Sequence, residues 1–210
     1  EEVAGWVLDA GCQDLGENRA DAFARRAERF AAMGREPRWH FIGHLQRNKV
    51  RRVLEHVHVL HSIDSERLAG TVARVAEELG RSIDVFIQVN LTGEDEKYGF
   101  SKDEAGDAAL RLASSPAINV RGLMAMGPMR AHRTVREVFE EARELASSLE
   151  EELPDGVRRH DLEAAGREPR RAVFHEEHGQ AVTLTRLAAG STGDSLLMLS
   201  LSVSLYSLSL

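Results

Sequence analysis

Lysine and cysteine are both scarce in this chain of 210 residues. Of its 27 basic residues, only Lys49, Lys97 and Lys102 are lysines, so a function that requires a lysine amine has three candidates. The one cysteine, Cys12, excludes an intramolecular disulfide and favours a reducing compartment, so we expect a cytoplasmic protein. Because Cys12 ends an apolar helical pattern, we expect a buried and inert thiol rather than a nucleophile.

Several sequence signatures are missing as well. No GxGxxG or Walker sequence follows a predicted strand, which weakens a nucleotide site, and no GxSxG sequence or cysteine–histidine pairing indicates acyl transfer. No basic segment with an apolar core opens the chain, and no segment makes a convincing membrane span. We therefore expect neither a secretory signal nor insertion into a membrane.

The charge balance argues against nucleic acid as a partner. The formal net charge is −7, which opposes general affinity for phosphate backbones. Four basic residues are clustered in one predicted helix, namely Arg47, Lys49, Arg51 and Arg52. We interpret this cluster as the solvated face of that helix.

Nine histidines raise the question of a metal site. His56 and His58 could share a strand face, but no third ligand at a useful spacing joins them. His175 and His178 flank two glutamates in a charged segment that has no apolar period. We therefore predict structural or surface roles for these histidines and no metal site.

Apolar patterns with a period of 3.6 residues alternate along the chain with short apolar runs, as is typical of repeated βα units around a parallel sheet. The patterns predict helices over residues 2–12, 19–33, 46–56, 65–79, 102–114 and 133–152, and strands over 14–18, 38–44, 57–63, 84–90 and 119–126. Five such units suit either a doubly wound sheet or part of a (β/α)8 barrel.

Two helix starts carry capping signals. Asp64 can accept the free amides of the helix that follows it, and Ser101 with Glu104 makes a reciprocal capping box. Both signals come shortly after a predicted strand, so we expect short turns between strands and helices.

The composition changes after about residue 162, so we predict a βα domain over residues 1–162 and an atypical segment over residues 163–210. Residues 163–178 are charged, and residues 195–210 are almost wholly leucine and serine. Alternation of these two residues would give one apolar strand face, but nothing polar specifies its partner. We expect this segment to be disordered or artefactual, as from a shifted reading frame, with a weak edge strand as the alternative.

The carboxyl ends of parallel strands are where ligands of such folds bind. Asn18 and Asn90 follow two of the predicted strands, and their amides can both donate and accept hydrogen bonds. Each side chain suits the polar edge of a ring, although each could instead cap the adjoining turn.

Six short motifs occur in order between residues 2 and 150. They are LGEN at 15–18, WHFIG at 39–43 with LQRNK at 45–49, HSID at 61–64, QVN at 88–90, KYGF at 97–100 and RGLM at 121–124. In these motifs and their order, the chain resembles the YggS/PROSC family of pyridoxal-phosphate homeostasis proteins. The resemblance implies a (β/α)8 TIM-barrel-like fold similar to the N-terminal domain of alanine racemase.

The resemblance also implies a cofactor. The family holds pyridoxal 5'-phosphate (PLP) as an aldimine on a lysine at the end of its first strand, and it is associated with vitamin B6 homeostasis rather than with an established turnover. Asn18 matches the family asparagine near the cofactor, while Ile42 and Met124 match strand-end positions that line its pocket. We predict these three residues as the cofactor site; the sequence indicates no catalytic residue and no particular protein partner.

The resemblance begins inside the helix that follows the family's first strand, and the family's phosphate-binding strands have no readable counterpart after Leu162. We therefore expect a partial barrel that lacks strand 1 and the usual last strands. The turn at residues 190–193 has the composition of a phosphate nest, but we interpret it as a plain loop. Loss of three or four phosphate hydrogen bonds, at about 1.5–3 kcal/mol each, predicts weak PLP binding or none.

Two other functions stay open. A damaged barrel could serve as a cofactor-free scaffold or binding protein, with open strand edges that favour association. A PLP-dependent amino-acid racemase would need both a lysine and an opposing acid–base residue. Lys97 lies in the loop after the strand at 84–90 and could approach an aldehyde, but we favour an exposed loop lysine that pairs with Glu94 or Asp95.

Overall fold

The computed structural model describes residues 2–94, 97–128, 133–152, 173–174, 180–186 and 198–204. Its helices are α1 (Glu2–Asp9), α2 (Ala20–Ala32), α3 (Val50–Leu54), α4 (Glu66–Glu78), α5 (Lys102–Ala113) and α6 (Val135–Glu152). Its strands are β1 (Asp14–Glu17), β2 (Arg38–Phe41), β3 (Val59–Ile63), β4 (Ile83–Val89), β5 (Ile118–Met126), β6 (Val173–Phe174), β7 (Gln180–Arg186) and β8 (Met198–Ser204).

The described strands form one sheet with the order β6-β1-β2-β3-β4-β5-β8-β7. Strands β1 to β5 are parallel neighbours in chain order, and each is followed by a helix. A doubly wound sheet would reverse its strand order part of the way across, whereas a barrel adds each strand beside the previous one. The order therefore favours the barrel-type alternative.

The sheet buries one face against the helices. Strand residues such as Leu15, Trp39 and Phe41 belong to the main apolar core together with helix residues. Phe23 of α2 meets the rings of Trp39 and Phe41 edge-on, at centroid distances of 5.5 and 5.8 Å. Phe23, Ala27 and Phe30 recur every three or four residues, so one stripe of α2 supplies this contact.

The other face of the strands carries a different set of side chains. Because side chains alternate along a strand, the neighbours of the core residues point away from the helices. Val59, Phe86 and Met124 form a separate apolar cluster there, with Met126 packed against it. Polar side chains share this inner face, which is where the candidate site lies.

The predicted elements are confirmed with shifted boundaries. The strand predicted over 38–44 ends at Phe41, and the helix predicted over 46–56 is a 3₁₀ turn (Arg47–Lys49) followed by the short α3. The first helix ends at Asp9 instead of reaching residue 12. Cys12 is therefore half-buried beyond the helix, where its thiol donates to the Asp14 carbonyl oxygen at 3.4 Å, so the predicted burial of the thiol was wrong.

The two capping predictions had different outcomes. The capping box of Ser101 and Glu104 is present, with the Ser101 N–H donating to the Glu104 carboxylate at 3.0 Å. These hydrogen bonds lower the pKa of Glu104. The Asp64 prediction was wrong, because Ser65 is the N-cap residue of α4 and the Asp64 carboxylate is engaged by other side chains.

Three strands come from the segment after residue 162. Strand β6 runs parallel to β1, and β8 runs parallel to β5 and antiparallel to β7. The leucine–serine alternation thus forms a strand, but β8 lies between two others instead of at an edge. The histidines at 175 and 178 and the turn at 190–193 lie outside the described residues.

The basic cluster of α3 and its preceding turn is paired with acidic side chains. Lys49 and Arg52 contact Asp21, and Arg51 contacts Glu78, all on the exposed surface. This is the arrangement expected of a solvated helix face. Within the part of the chain that the structure describes, no helix combines the length and apolarity needed to cross a membrane.

Candidate functional site

The predicted cofactor residues lie at the carboxyl ends of three strands. Asn18 directly follows β1 and is exposed, Ile42 directly follows β2 and is half-buried, and Met124 is buried on the inner face of β5. The β1–β2 register pairs Glu17 with Phe41, so its continuation sets Asn18 beside Ile42. The structure therefore brings Asn18 and Ile42 together and places Met124 across the inner face.

Gly43 allows the ends of β1 and β2 to meet closely. A Cβ atom at this position would lie 1.8 Å from the carbonyl oxygen of Asn18. Any side chain would therefore force the two backbones apart. The sequence motif contained Gly43, but composition and periodicity gave no sign of this contact.

A buried carboxylate fixes the backbone at Asn18. Glu17 is only 5% exposed and pairs with the guanidinium of Arg26 on α2. The same carboxylate accepts the backbone N–H groups of Asn18 at 2.9 Å and Arg19 at 3.3 Å. The sequence assigned no specific role to Glu17, although an acidic residue inside an apolar strand indicates that its carboxylate must be paired.

Three polar side chains form a chain of hydrogen bonds on the inner face. The Nε2–H of His40 donates to Asp14 at 3.1 Å, and the Nδ1 of His40 lies 2.9 Å from the Nε2 of His61. The His61 ring stacks on Phe86 with a centroid distance of 4.9 Å. Burial lowers the pKa of His61 well below its usual value, and the nearby charges of His40 and Arg38 lower it further.

The line of hydrogen bonds from Asp14 through His40 ends at the His61 ring. The Nδ1 atom of His61, a residue that is 1% exposed, makes no hydrogen bond within the described residues. Continuing the β2–β3 register by one residue sets His61 beside Ile42. An unpartnered polar atom therefore lies one strand away from a predicted cofactor residue.

A second histidine lies at the rim of the same edge. The Nδ1–H of His44 donates to Asp64 at 2.9 Å, and the hydroxyl of Ser65 donates to the other Asp64 oxygen at 3.0 Å. The ring of Tyr98, from the loop after β4, stacks on His44 with a centroid distance of 4.0 Å. Loops after β2, β3 and β4 thus meet at this edge.

Asn90 serves the loop after β4. Its Nδ2 donates to the backbone oxygens of Glu94 at 2.9 Å and Lys97 at 3.2 Å, and its Oδ1 accepts the Thr92 hydroxyl at 2.9 Å. Both ends of the amide are occupied. Of the two interpretations of Asn90, the turn cap is the one that the structure supports.

All three lysines are engaged with acidic side chains. Lys97 pairs with Glu94 at 2.8 Å and donates to the Gly127 carbonyl oxygen after β5. The predicted partner was right, but the predicted exposure was wrong, because the Lys97 side chain is only 6% exposed. Lys49 donates to Asp21 and Lys102 to Glu141 at the helix surface.

The histidines do not gather into a metal centre in the described part of the chain, where no group of three or more potential ligands is present. His58 accepts the Trp39 backbone N–H at its Nδ1, at 3.0 Å, and His56 lies 3.9 Å from Glu28. Both have the structural or surface roles that the sequence predicted.

Comparison with known proteins gives a consistent result. Residues 1–167 match the family model of the alanine racemase N-terminal domain. The chain is 36% identical over 149 residues to the pyridoxal phosphate homeostasis protein of Deinococcus radiodurans, a match covering 71% of this chain and 68% of that protein. It is 31% identical over 150 residues to the protein of the same name from Pasteurella multocida, with coverage of 71% and 64%.

Solved structures agree with the sequence matches. PipY of Synechococcus elongatus, with PLP bound, superposes with a TM-score of 0.65 at 29% identity, covering 72% of this chain and 70% of PipY. Alanine racemase of Clostridium difficile superposes with a TM-score of 0.57 at 14% identity, covering 72% of this chain and 39% of the racemase, which shows a shared fold. The chain spans about two thirds of the length of its curated relatives, 64% for the Pasteurella protein. It belongs to the alanine racemase N-terminal domain family and, within it, to the pyridoxal phosphate homeostasis proteins.

Proposed function

We propose that this chain binds PLP without covalent attachment at the carboxyl edge of β1 to β5 and takes part in vitamin B6 homeostasis. The single observation that carries the proposal is the contact between Gly43 and Asn18, which leaves no room for a Cβ atom and sets Asn18 beside Ile42. The names of the relatives and the PLP bound to PipY support this choice of ligand.

The described residues fit the ring of the cofactor. Asn18 supplies an exposed amide, Ile42 and Met124 supply apolar walls, and His61 supplies an unpartnered polar atom. Pockets for such cofactors combine apolar walls with a few placed polar groups. When bound, PLP supplies an aldehyde and an electron-withdrawing pyridine ring.

The lysines do not fit a covalent role. Lys97 lies in the loop after β4, but its amine is held by Glu94 and the Gly127 carbonyl oxygen. Lys49 and Lys102 are paired at the helix surface. The sequence predicted weak PLP binding or none, and of these two outcomes we propose weak binding. The single cysteine is consistent with the proposed cytoplasmic location.

Equilibrium dialysis of the purified chain against PLP tests the proposal. We expect saturable binding that sodium borohydride treatment does not make permanent. Asn18→Ala should weaken binding about fivefold, since one hydrogen bond contributes about 1 kcal/mol. The matched control is Asn119→Ala, because Asn119 donates to Ser82 and Asp84 at the opposite end of the sheet.

Two results would contradict the proposal. Absence of saturable PLP binding by the unmodified chain would remove the function. Equal losses of affinity in Asn18→Ala and Asn119→Ala would place the ligand elsewhere.

A further inference from the structure

The inner face of the sheet holds a line of three polar groups, and the proposed binding site uses only the one at its end, His61. Asp14, His40 and His61 lie on β1, β2 and β3, joined by contacts of 3.1 and 2.9 Å. His40 and His61 are 4% and 1% exposed. Nearly all buried polar atoms in folded proteins have a hydrogen-bond partner. The Nδ1 of His61, which has none among the described residues, therefore requires an explanation.

The contact between the two rings holds a single proton. A carboxylate only accepts, so the Nε2 of His40 carries a hydrogen that it donates to Asp14. In the neutral pair, the Nδ1 of His40 then accepts the Nε2–H of His61, and the Nδ1 of His61 presents a lone pair. In the protonated pair, His40 donates from both nitrogens, and the Nδ1 of His61 carries a hydrogen.

These two states are connected by one proton transfer across the contact between the His40 and His61 rings. A proton that arrives at the Nδ1 of His61 displaces the shared proton from the Nε2 of His61 to the Nδ1 of His40. The positive charge appears on His40, beside the Asp14 carboxylate, and the deeply buried His61 stays neutral. This arrangement avoids the desolvation cost of a charge on His61.

The surrounding charges suit a cation at His40. Among the described residues, Asp14 on β1 pairs with His40, the charge of Arg38 on β2 acts on His61, and the charge of His40 acts on His58. Arg38 and Arg121 both pair with Asp84, at 3.0 and 2.9 Å. Asp84 thereby offsets part of the positive charge of Arg38, while the Asp14 carboxylate faces His40.

We propose that Asp14, His40 and His61 form a proton relay whose outlet, the Nδ1 of His61, exchanges a proton with a heteroaromatic ligand that carries a pyridine nitrogen or a phenolic hydroxyl. The identity of the ligand rests on the proposed function, because His61 lies beside Ile42. On uptake, the bond between the proton and the ligand nitrogen or oxygen breaks, and an N–H bond forms at the Nδ1 of His61. The ligand loses one proton and His40 gains one positive charge. His61 contacts the ligand, and Asp14 and His40 are positioning residues.

Nitrogen-15 NMR of the histidine rings tests the relay in the unmodified, ligand-free protein. As the pH falls, we expect His40 to become doubly protonated while His61 changes from the Nε2–H to the Nδ1–H tautomer. Double protonation of His61, or no change of its tautomer before unfolding, overturns the proposal. This measurement needs no variant, so it does not depend on whether a core substitution folds.

One variant tests the part played by Asp14. Asp14→Asn removes the anion beside His40, and we expect the change of the His61 tautomer to require a lower pH than in the unmodified protein. The control is Asp9→Asn, because Asp9 pairs with Arg35 at the molecular surface. Equal midpoints in the unmodified protein and Asp14→Asn would overturn the relay.

Pyridoxine 5'-phosphate tests the contact between His61 and the ligand, because it has the ring and the phosphate of PLP but no aldehyde. We expect its binding to shift the Nδ1 resonance of His61. Binding in dialysis without such a shift overturns the relay but leaves the proposed function intact. Absence of binding of both pyridoxine 5'-phosphate and PLP overturns the proposed function and the ligand contact together, and the ligand-free titration then decides the relay alone.

Discussion

Acid should destabilise this protein through His61. The ring is buried, and its pKa lies well below the usual value in the folded chain, chiefly because of burial. In the unfolded chain the ring is hydrated and titrates at its usual pKa of about 6.5. The unfolded state therefore binds more protons at low pH, so the stability is complete above about pH 6.5 and is lost as the pH falls below it.

The size of the effect follows from one proton. A histidine that stays neutral when folded and has an unfolded pKa of about 6.5 loses about 2 kcal/mol of stability between pH 7 and pH 5. His58, whose pKa burial also lowers, adds to the effect in the same direction.

Urea unfolding followed by circular dichroism at pH 5 to 8 measures this dependence. His61→Phe keeps a ring against Phe86 and removes one proton from the pH dependence of the free energy of unfolding. This variant should therefore lose about 2 kcal/mol less stability between pH 7 and pH 5 than the unmodified protein. His58→Gln should flatten it by a smaller amount. The comparison uses slopes, so a change in absolute stability does not obscure it. An unchanged slope in His61→Phe would refute the reasoning.

Two further predictions concern packing and charge. Gly43→Ala should destabilise the fold by about 1–3 kcal/mol, as overpacking does, and should weaken PLP binding, because the new Cβ atom meets the Asn18 backbone. Thermal unfolding measures the loss of stability, and dialysis measures the loss of affinity. The control is Gly70→Ala on the open surface of α4, which should stabilise the fold by about 0.5–1 kcal/mol. Equal stability of Gly43→Ala and the unmodified protein would disprove the contact. Lys97→Met should cost about 3–5 kcal/mol, because it removes the cation that pairs with the 3% exposed Glu94 carboxylate. Adding Glu94→Gln should restore most of that loss, and additive losses in a double-mutant cycle would contradict it.

The elements that the sequence predicted correctly are those with strong periodicity. The stripe of Phe23, Ala27 and Phe30 identified α2, and five apolar runs identified β1 to β5. Boundaries shifted where a tertiary contact decided them. Strand β2 stops at Phe41 because the chain turns at Gly43 against Asn18, and no local pattern encodes that approach.

The site was predictable only in part. The motifs placed Asn18, Ile42 and Met124 near one edge of the sheet, but the roles of these residues stay predictions. The contacts of His40 and His61 could not be predicted, since they join residues 21 apart in sequence through strand register. Asp64 was misassigned because its local position fits a helix cap, whereas in the fold it meets His44 from a neighbouring loop.

A register shift in β3, a strand of five residues, determines which of its side chains face the helices and which lie on the inner face of the sheet. The pairing with β4 skips between Leu60 and Ile63, so His61 lies on the inner face while Ile63, two residues later, packs in the helix-side core. Strict alternation would have put both on one side. Because of this irregularity, β3 can place an imidazole on the inner face and still end with a side chain packed in the apolar core. The residue that stabilises the end of the strand is therefore not on the same face as the residue that can contact a ligand.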